Sequence, residues 1–317
     1  IVDLQYVNLT SRETAEYLQL MHTRFILTAD VFFPMIQDAL ETDDSIQVIV
    51  APTARSLPLL KRMLFPKQLR HGEAKNVLWL DDLGRWAKCQ PALPIGEGNA
   101  PALIIHTSGT TGQPKGVLLS SKNANAVAVE YRNSLLALKA GDSILNIAPP
   151  FVAFGICLAI HTPLCLGLQV CLSPSPDPEK AGELFAFYKP THFLGGTAHI
   201  RKIIQVQRKK RQNLNFAKTI GYGGEAIPNT EAEQYASFFR NRGARISHLT
   251  PGYGMTEFGG TVVLAGSVVW KEESVGIPLP FANIKIVDTE SGGELSYGRV
   301  GEIWMTSPSL MLGYYQN

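Results

Sequence analysis

Residues 102–121 read ALIIHTSGTTGQPKGVLLSS, and this stretch decides the fold class. One apolar run, Ala102–His106, leads into a loop of small hydroxyl and glycine residues, and a second, Val117–Leu119, returns from it. Short apolar runs bounded by Gly and Pro read as buried strands. Ser120 or Ser121 then caps a helix. Its Ala124, Val127, Ala128, Tyr131, Leu135 and Leu138 keep helical spacing, and Gly141 is the expected C-cap.

The same alternation extends to both sides. Thr10 and Glu13 have capping-box spacing and open a helix over Ser11–Met21. Arg24–Thr28, Ile46–Ala51 and Asn76–Leu80 read as strands, with helices over Val31–Leu40 and Ser56–Leu64. Downstream, the expected strands are Ile144–Ala148, Gln169–Leu172, Thr191–Leu194, Ala217–Gly221 and Arg245–Leu249. Between them lie helices over Phe154–Leu166, bent at Pro163, then Pro178–Tyr188, capped by Asp177, then Ala198–Arg211 and Asn229–Arg242. This is an α/β chain with mostly parallel sheets and flanking helices. After Ser274 the texture changes. Ile284–Asp288 and Val300–Thr306 are strands with no helix between them, as at the start of a small β subdomain.

Composition narrows the function classes. The 317 residues are 45% hydrophobic and 18% charged, so a sizeable core is affordable and a disordered chain is excluded. The 29 basic and 27 acidic residues leave a net charge of +2, which argues against a nucleic-acid binder. Cys89, Cys157, Cys165 and Cys171 form no CxxC pair and read as small buried hydrophobes in a reducing, cytoplasmic setting. Ser143–Pro176 lacks charge, but Pro149, Pro150 and Pro163 interrupt it, so a buried strand, helix, strand sequence is expected rather than a membrane span. His22, His71, His161, His192, His199 and His248 show no metal spacing, and Arg208–Arg211 reads as a solvated helix end.

The loop Thr107-Ser108-Gly109-Thr110-Thr111-Gly112-Gln113-Pro114-Lys115-Gly116 carries the chemistry. Three glycines free backbone N–H groups to face an anion, hydroxyls flank them, and Lys115 adds positive charge. That set suits a polyphosphate. It is not a Walker A loop, because Lys115 lies between Pro114 and Gly116 instead of opening a helix. A loop of this composition is ordinarily just a loop; the order of its residues is the specific signal.

That order resembles the phosphate-loop signature of the adenylate-forming superfamily, which includes acyl-CoA synthetases, adenylation domains and beetle luciferases. Further blocks agree in order. Gly223–Pro228 resembles the family's adenine-binding turn, and Tyr253-Gly254-Met255-Thr256-Glu257 its YGxTE motif. Ser274–Pro278 with Ile284–Asp288, and Gly301–Ile303 with Gly313-Tyr314, resemble two later segments. The matched blocks run from about Thr107 to the last residue.

The resemblance implies ATP-dependent activation of a small-molecule carboxylic acid to an acyl-adenylate, then thioester formation with CoA. Thr107, Ser108, Thr110, Thr111 and Lys115 would hold the β- and γ-phosphates, with Gly109 and Gly112 shaping the loop. Glu257 would bind Mg²⁺, and Thr256 would contact the α-phosphate. Tyr253 would stack on adenine, with Gly224, Glu225 and Ala226 on its other face. Pro150–Gly155 resembles the family's P-F-H-x-x-G block, so Phe154, Gly155 and Tyr222 are acyl-pocket candidates, Phe154 equally as core. Val152 stands where the family often has His, and cannot orient a carboxylate as an imidazole would.

On this resemblance, residues 1–270 are an AMP-binding α/β region incomplete at its N-terminus, and 271–317 begin the β subdomain. The ribose-binding aspartate and the C-terminal catalytic domain with its lysine would fall beyond Asn317. The chain by itself is then expected to be a fragment with little ligase activity. Two other readings stay open: an acyl-AMP ligase or adenylation domain loading an acyl carrier protein, and a non-catalytic nucleotide- or acyl-binding protein.

Overall fold

The computed structural model describes residues 1–40, 43–56, 76–86, 96–107, 115–173, 177–266 and 269–316. Its strands, along the chain, are β1 (Val2–Leu4), β2 (Phe25–Ala29), β3 (Gln47–Ala51), β4 (Val77–Trp79), β5 (Pro101–Thr107), β6 (Lys115–Ser120), β7 (Ser143–Asn146) and β8 (Gln169–Leu172). They continue with β9 (His192–Gly195), β10 (Thr219–Gly223), β11 (Thr250–Met255), β12 (Gly260–Leu264), β13 (Ile277–Pro278), β14 (Asn283–Val287), β15 (Glu302–Thr306) and β16 (Gly313–Tyr314).

Two compact units are present, Tyr6–Ile95 and Ile1–Gln5 with Gly96–Asn317. In the smaller unit, Thr10 and Glu13 form the expected capping box at the helix Ser11–Leu20. Parallel strands β2, β3 and β4 carry a small core of Phe33, Ile36, Val48 and Val50. The chain enters a helix, Leu80–Trp86, directly after β4, which sequence reading did not foresee. The expected helix Ser56–Leu64 falls almost wholly outside the described residues, as does Cys89.

The larger unit is built on a seven-stranded sheet ordered β13-β12-β11-β10-β9-β7-β8. Strands β8, β7, β9, β10 and β11 are mutually parallel, as the alternation demands, and β12 and β13 add antiparallel edges. Alternate residues feed opposite faces. Leu145, Phe193 and Ile220 meet Phe185, Ile200, Ile203 and Phe239 from the helices Pro178–Tyr188, Thr197–Lys210 and Asn229–Arg240. Ile144 and Leu194 meet Val127, Tyr131 and Leu158 on the other face.

A second sheet is ordered β1-β5-β6-β16, and only its β1–β5 pair is parallel. Strand β1 escaped sequence reading. It is pinned by Asp3, whose Oδ1 lies 2.7 Å from Nε2 of the buried His106. Strands β14 and β15, both expected, pair antiparallel with each other. Strand β13 still belongs to the large sheet, and β16 returns to pair with β6.

Several expectations need correction. The helix that starts at Ser121 ends at Arg132, well before Gly141. Asn133 Nδ2 donates to the Val129 carbonyl at 2.8 Å and Ser134 Oγ to that of Tyr131 at 2.8 Å, so polar side chains stop the helix. Phe154–His161 is a π-helix that passes into the α-helical turn Thr162–Cys165. In an α-helix the Pro163 ring would strike the carbonyl four residues back; a widened register before it removes that conflict. Arg245–Leu249 forms no strand. Ile246 and Leu249 are buried there as irregular chain, and pairing with β10 begins only at Thr250. Cys165 is exposed, unlike the buried Cys157 and Cys171. Among the described residues, no helix is long and apolar enough to cross a membrane.

The helices Pro178–Tyr188 and Thr197–Lys210 meet at Gly182. A Cβ there would lie 2.5 Å from Val206 Cγ2 and 2.6 Å from the Lys202 carbonyl oxygen. Ala in a helix normally gains ~0.5–1 kcal/mol over Gly, but overpacking costs ~1–3 kcal/mol. Gly182→Ala is therefore expected to lower stability by roughly 1–2 kcal/mol, read as a lower urea midpoint.

At the amino ends of the parallel strands, His192 is buried. Its Nδ1 lies 3.0 Å from Thr219 Oγ1 and its Nε2 3.1 Å from Asp142 Oδ2; Lys218 Nζ also bonds Asp142 at 2.8 Å. Burial lowers the His192 pKa below its ordinary 6.5, against the opposing pull of Asp142. Below pH 6.5 the unfolded ring thus takes up a proton before the folded one does, so stability falls with acidification from there. Asp142 adds a loss at lower pH. Burial raises its pKa, but hydrogen bonds and charge from Lys218 and His192 outweigh that and lower it. Thermal unfolding midpoints should drop between pH 7 and pH 5.5, and the drop should be smaller in His192→Gln. An equal drop in both would show that another group sets the dependence.

Candidate functional site

Parallel pairing of β9, β10 and β11 brings Gly195, Gly223 and Gly252–Met255 to one edge of the large sheet. Carboxyl ends of parallel strands are the usual place for a site in such a sheet. Here a cavity of about 380 Å³ opens. One wall is apolar, from Ile147, Val152, Phe154, Leu158, Leu194 and Leu264. The other is backbone-rich, from Gly195, Gly196, Gly223, Gly224, Gly252 and Gly254. His199, Tyr222, Thr256 and Thr261 are among its polar side chains.

Two glycines are required by geometry. Gly224 turns the chain out of β10 with φ +83°, the left-handed region. Gly254 sits at a bulge between β11 and β12, where a Cβ would lie 1.9 Å from the Gly260 carbonyl oxygen.

The adenine-turn residues separate. Gly224 lines the cavity; among the described residues, Glu225 and Ala226 do not. Glu225 Oε1 instead accepts from Thr197 N at 2.8 Å and from Thr197 Oγ1. The helix Thr197–Lys210 has Gly196 at its N-cap, which offers no side chain, so Glu225 supplies the missing acceptor from another loop. Those Thr197 bonds hold the Glu225 pKa below its ordinary value. Gly196 N donates to His199 Nδ1 at 3.1 Å, which turns the ring into the same corner.

The YGxTE block spans two elements. Tyr253 lies on β11, paired with Val263, and does not line the cavity. Thr256–Phe258 is a 3-10 turn anchored by the buried Phe258. Thr256 faces the cavity. Glu257 points to a different neighbour: Tyr314 Oη donates to its Oε1 at 2.8 Å, and Met311 N donates to its carbonyl at 2.7 Å.

The phosphate-loop candidates are reached from the second sheet. Thr107 and Lys115 are directly opposed across β5 and β6. Ser108, Gly109, Thr110, Thr111 and Gly112 lie outside the described residues. Lys115 Nζ stands 5.0 Å from the centroid of the Tyr314 ring. Tyr314 thus touches both Lys115 and Glu257.

The acyl candidates also divide. Phe154 both lines the cavity and packs on the core beside Leu158, so neither reading excludes the other. Tyr222 lines it, and burial raises its phenol pKa. Gly155 does not line it. A Cβ there would lie 1.9 Å from the Pro149 carbonyl oxygen, so this glycine permits tight packing beneath the wall.

Sequence reading missed His199, Thr261 and Tyr314. His199 has no metal spacing, but Gly195 at the end of β9 and Gly196 at the next N-cap signal that the helix carrying it starts at the site edge. No group of three or more His, Cys, Asp or Glu among the described residues could hold a metal ion. A Mg²⁺ here would need one carboxylate and substrate phosphates, its ordinary manner of binding. Glu257 fits that: among the described residues its Oε2 has no hydrogen-bond partner.

A family model described as AMP-binding enzyme matches residues 4–315, and the chain belongs to that family. The long-chain-fatty-acid–CoA ligase of Bacillus subtilis is 26% identical over 321 residues, covering 96% of this chain and 55% of its own length. The anthranilate–CoA ligase of Pseudomonas aeruginosa is 28% identical, covering 82% and 49%. The chain therefore spans about half the length of the curated relatives it matches. Among solved structures, the anthranilate CoA ligase AuaEII in complex with anthranoyl-AMP superposes with a TM-score of 0.83 at 19% identity, covering 100% of this chain and 57% of that one. A benzoate CoA ligase from Burkholderia xenovorans gives 0.79 at 19%, covering 99% and 57%. These likenesses show that the chain shares the fold of those two CoA ligases.

Removing the Glu225 acceptor leaves the Thr197 helix terminus uncapped. Glu225→Ala is expected to cost about 1 kcal/mol, seen as a lower unfolding midpoint. A midpoint equal to that of the unaltered chain would mean that water replaces the carboxylate at no cost.

Proposed function

We propose that this chain forms the nucleotide- and acid-binding part of an enzyme that activates a carboxylic acid with ATP. The products are an acyl-adenylate and pyrophosphate, and the acyl group then passes to CoA. One observation carries the reading: an apolar cavity and the glycine-rich ends of β10 and β11 share one space, with Thr256 at their junction. An apolar acid and the sugar-phosphate backbone of a nucleotide could meet there without side chains between them.

In this reading Thr107, Ser108, Thr110, Thr111 and Lys115 hold the β- and γ-phosphates. Gly109 and Gly112 let the loop backbone approach them. Thr256 contacts the α-phosphate. Gly224 meets the adenine at the cavity, while Tyr253 and Ala226 flank it from outside the cavity lining and Glu225 acts through its hold on Thr197. Glu257 holds Mg²⁺, which when bound neutralises phosphate charge. Phe154 and Tyr222 contact the acyl group, with Val152, Leu194 and Leu264 beside them. The apolar wall suits an aryl or aliphatic acid. The curated relatives are named for fatty, anthranilic and coumaric acids, which supports that range. A carrier-protein thiol in place of CoA is the second reading. A p-hydroxybenzoic acid–AMP ligase of Mycobacterium marinum, 26% identical over 219 residues, is among the relatives and is named for the adenylate step alone, which leaves the acceptor open. A cytoplasmic location accords with both.

The test is acid-dependent ATP–pyrophosphate exchange by the natural polypeptide that carries these residues, over a panel of aryl and fatty acids. Exchange with at least one acid is expected, and Lys115→Ala should cut kcat about 100-fold, as for loss of one positioned donor. Adding CoA, or a phosphopantetheinylated carrier, separates the two acceptors by which thioester forms. ATP binding without exchange for any acid would overturn the ligase reading in favour of a nucleotide-binding protein.

A further inference from the structure

Lys115 and Glu257 carry opposite charges and share a neighbour, yet among the described residues no ion pair joins them. Tyr314 stands at both. Its hydroxyl donates to Glu257 Oε1 at 2.8 Å, and its ring faces Lys115 Nζ at 5.0 Å. We propose that Tyr314 is a positioning residue that holds the metal-binding carboxylate and the phosphate-binding ammonium apart and aimed. This rests on the functional reading above for those two groups.

The choice of side chain has a physical reason. A cationic partner would orient Glu257 but cancel its charge, and a carboxylate would do the same to Lys115. A phenol hydroxyl orients the carboxylate by one charge-assisted hydrogen bond and leaves its net charge intact. An aromatic face attracts an ammonium without neutralising it. Tyr314 does both at once, so each charge stays available to a ligand of the opposite sign. Glu257 Oε1 takes the hydroxyl hydrogen bond, which leaves Oε2 for a cation.

Tyr314 is itself held by a strap of chain. Strand β16 pairs Gly313 with Leu118 and Tyr314 with Val117, next to Lys115 on β6. Leu312 N and Tyr315 N donate to the Leu118 and Gly116 carbonyls at 2.8 and 2.7 Å. Upstream, Asn123 Nδ2 donates to the Pro308 and Leu310 carbonyls at 3.1 and 2.8 Å, and Ser307 Oγ donates to the buried Glu130. Met311 N closes the strap onto the Glu257 carbonyl. So much anchoring at one short segment fixes the backbone that carries Tyr314.

Two variants divide its roles. Tyr314→Phe keeps the ring and loses the hydroxyl; Tyr314→Leu loses both. ATP is titrated into the natural polypeptide at graded Mg²⁺, by calorimetry. The Phe variant should need about tenfold more Mg²⁺ for half-maximal ATP binding, with affinity restored at saturating Mg²⁺. The Leu variant should bind ATP a further roughly two- to fivefold more weakly even at saturating Mg²⁺. Without ligand, urea midpoints give a second readout: once Glu257→Ala has removed the acceptor, adding Tyr314→Phe should lower the midpoint no further. Unaltered Mg²⁺ dependence in the Phe variant, or an undiminished midpoint loss in the Glu257→Ala background, would overturn the proposal. If the unaltered polypeptide binds no ATP at any Mg²⁺ level, the functional reading itself fails, and this inference with it.

Discussion

Parallel pairing of β9, β10 and β11 forces three strand ends to one edge of the sheet. The glycine-rich side of the cavity follows from that constraint. Three chain exits at one edge leave little room for side chains, so the edge is lined by glycines at 195, 196, 223, 224, 252 and 254. The helices that follow must then start at the same edge, with unsatisfied N–H groups. One of them, Thr197–Lys210, borrows its cap from Glu225 in the next loop. The cavity is the space left where apolar side chains of the neighbouring π-helix meet this backbone-rich floor.

Elements with strong local signals were legible in the sequence. The capping box at Thr10, a serine cap at Ser120 or Ser121 (the structure takes Ser120) and the Asp177-Pro178 start all rest on side chains a few residues away. Each can be read from its own neighbourhood. The failures share a different cause. The helix after Ser120 stops at Arg132 because Asn133 and Ser134 turn back on it, while Leu135 and Leu138 keep the apolar spacing that suggests continuation. Arg245–Leu249 has strand-like composition, yet the partner register is set by β10 and begins later. The pairing of β1 with β5 depends on residues a hundred positions apart. Periodicity has no access to such partners.

The site divides the same way. The order of residues in the loop and in YGMTE named the charged groups, because those groups are contiguous. It could not say what each charge touches. Tyr314 lies far along the chain from both Lys115 and Glu257, and nothing around Gly313-Tyr314 points to either. His199 becomes a cavity residue only because β9 ends where the cavity begins. Gly155, which sits in a pocket-like motif, turns out to serve packing against Pro149.

The two acidic residues of the motifs illustrate why geometry must follow motif. Both are glutamates beside glycine-rich strand ends, and composition gives no ground for separating them. Glu225 directs one oxygen at both the backbone and the hydroxyl of Thr197, at the positive end of a helix. Its charge is largely spent on the fold. Glu257 accepts one hydroxyl hydrogen bond from a neutral phenol, which orients the carboxylate without offsetting its charge. Among the described residues, no ion pair offsets the charge of Glu257, whose hydrogen-bond donor Tyr314 also faces Lys115. A hard cation brought in with phosphates would gain more there than at Glu225, where it would compete with a helix terminus. The difference between the two carboxylates thus comes from what each already holds.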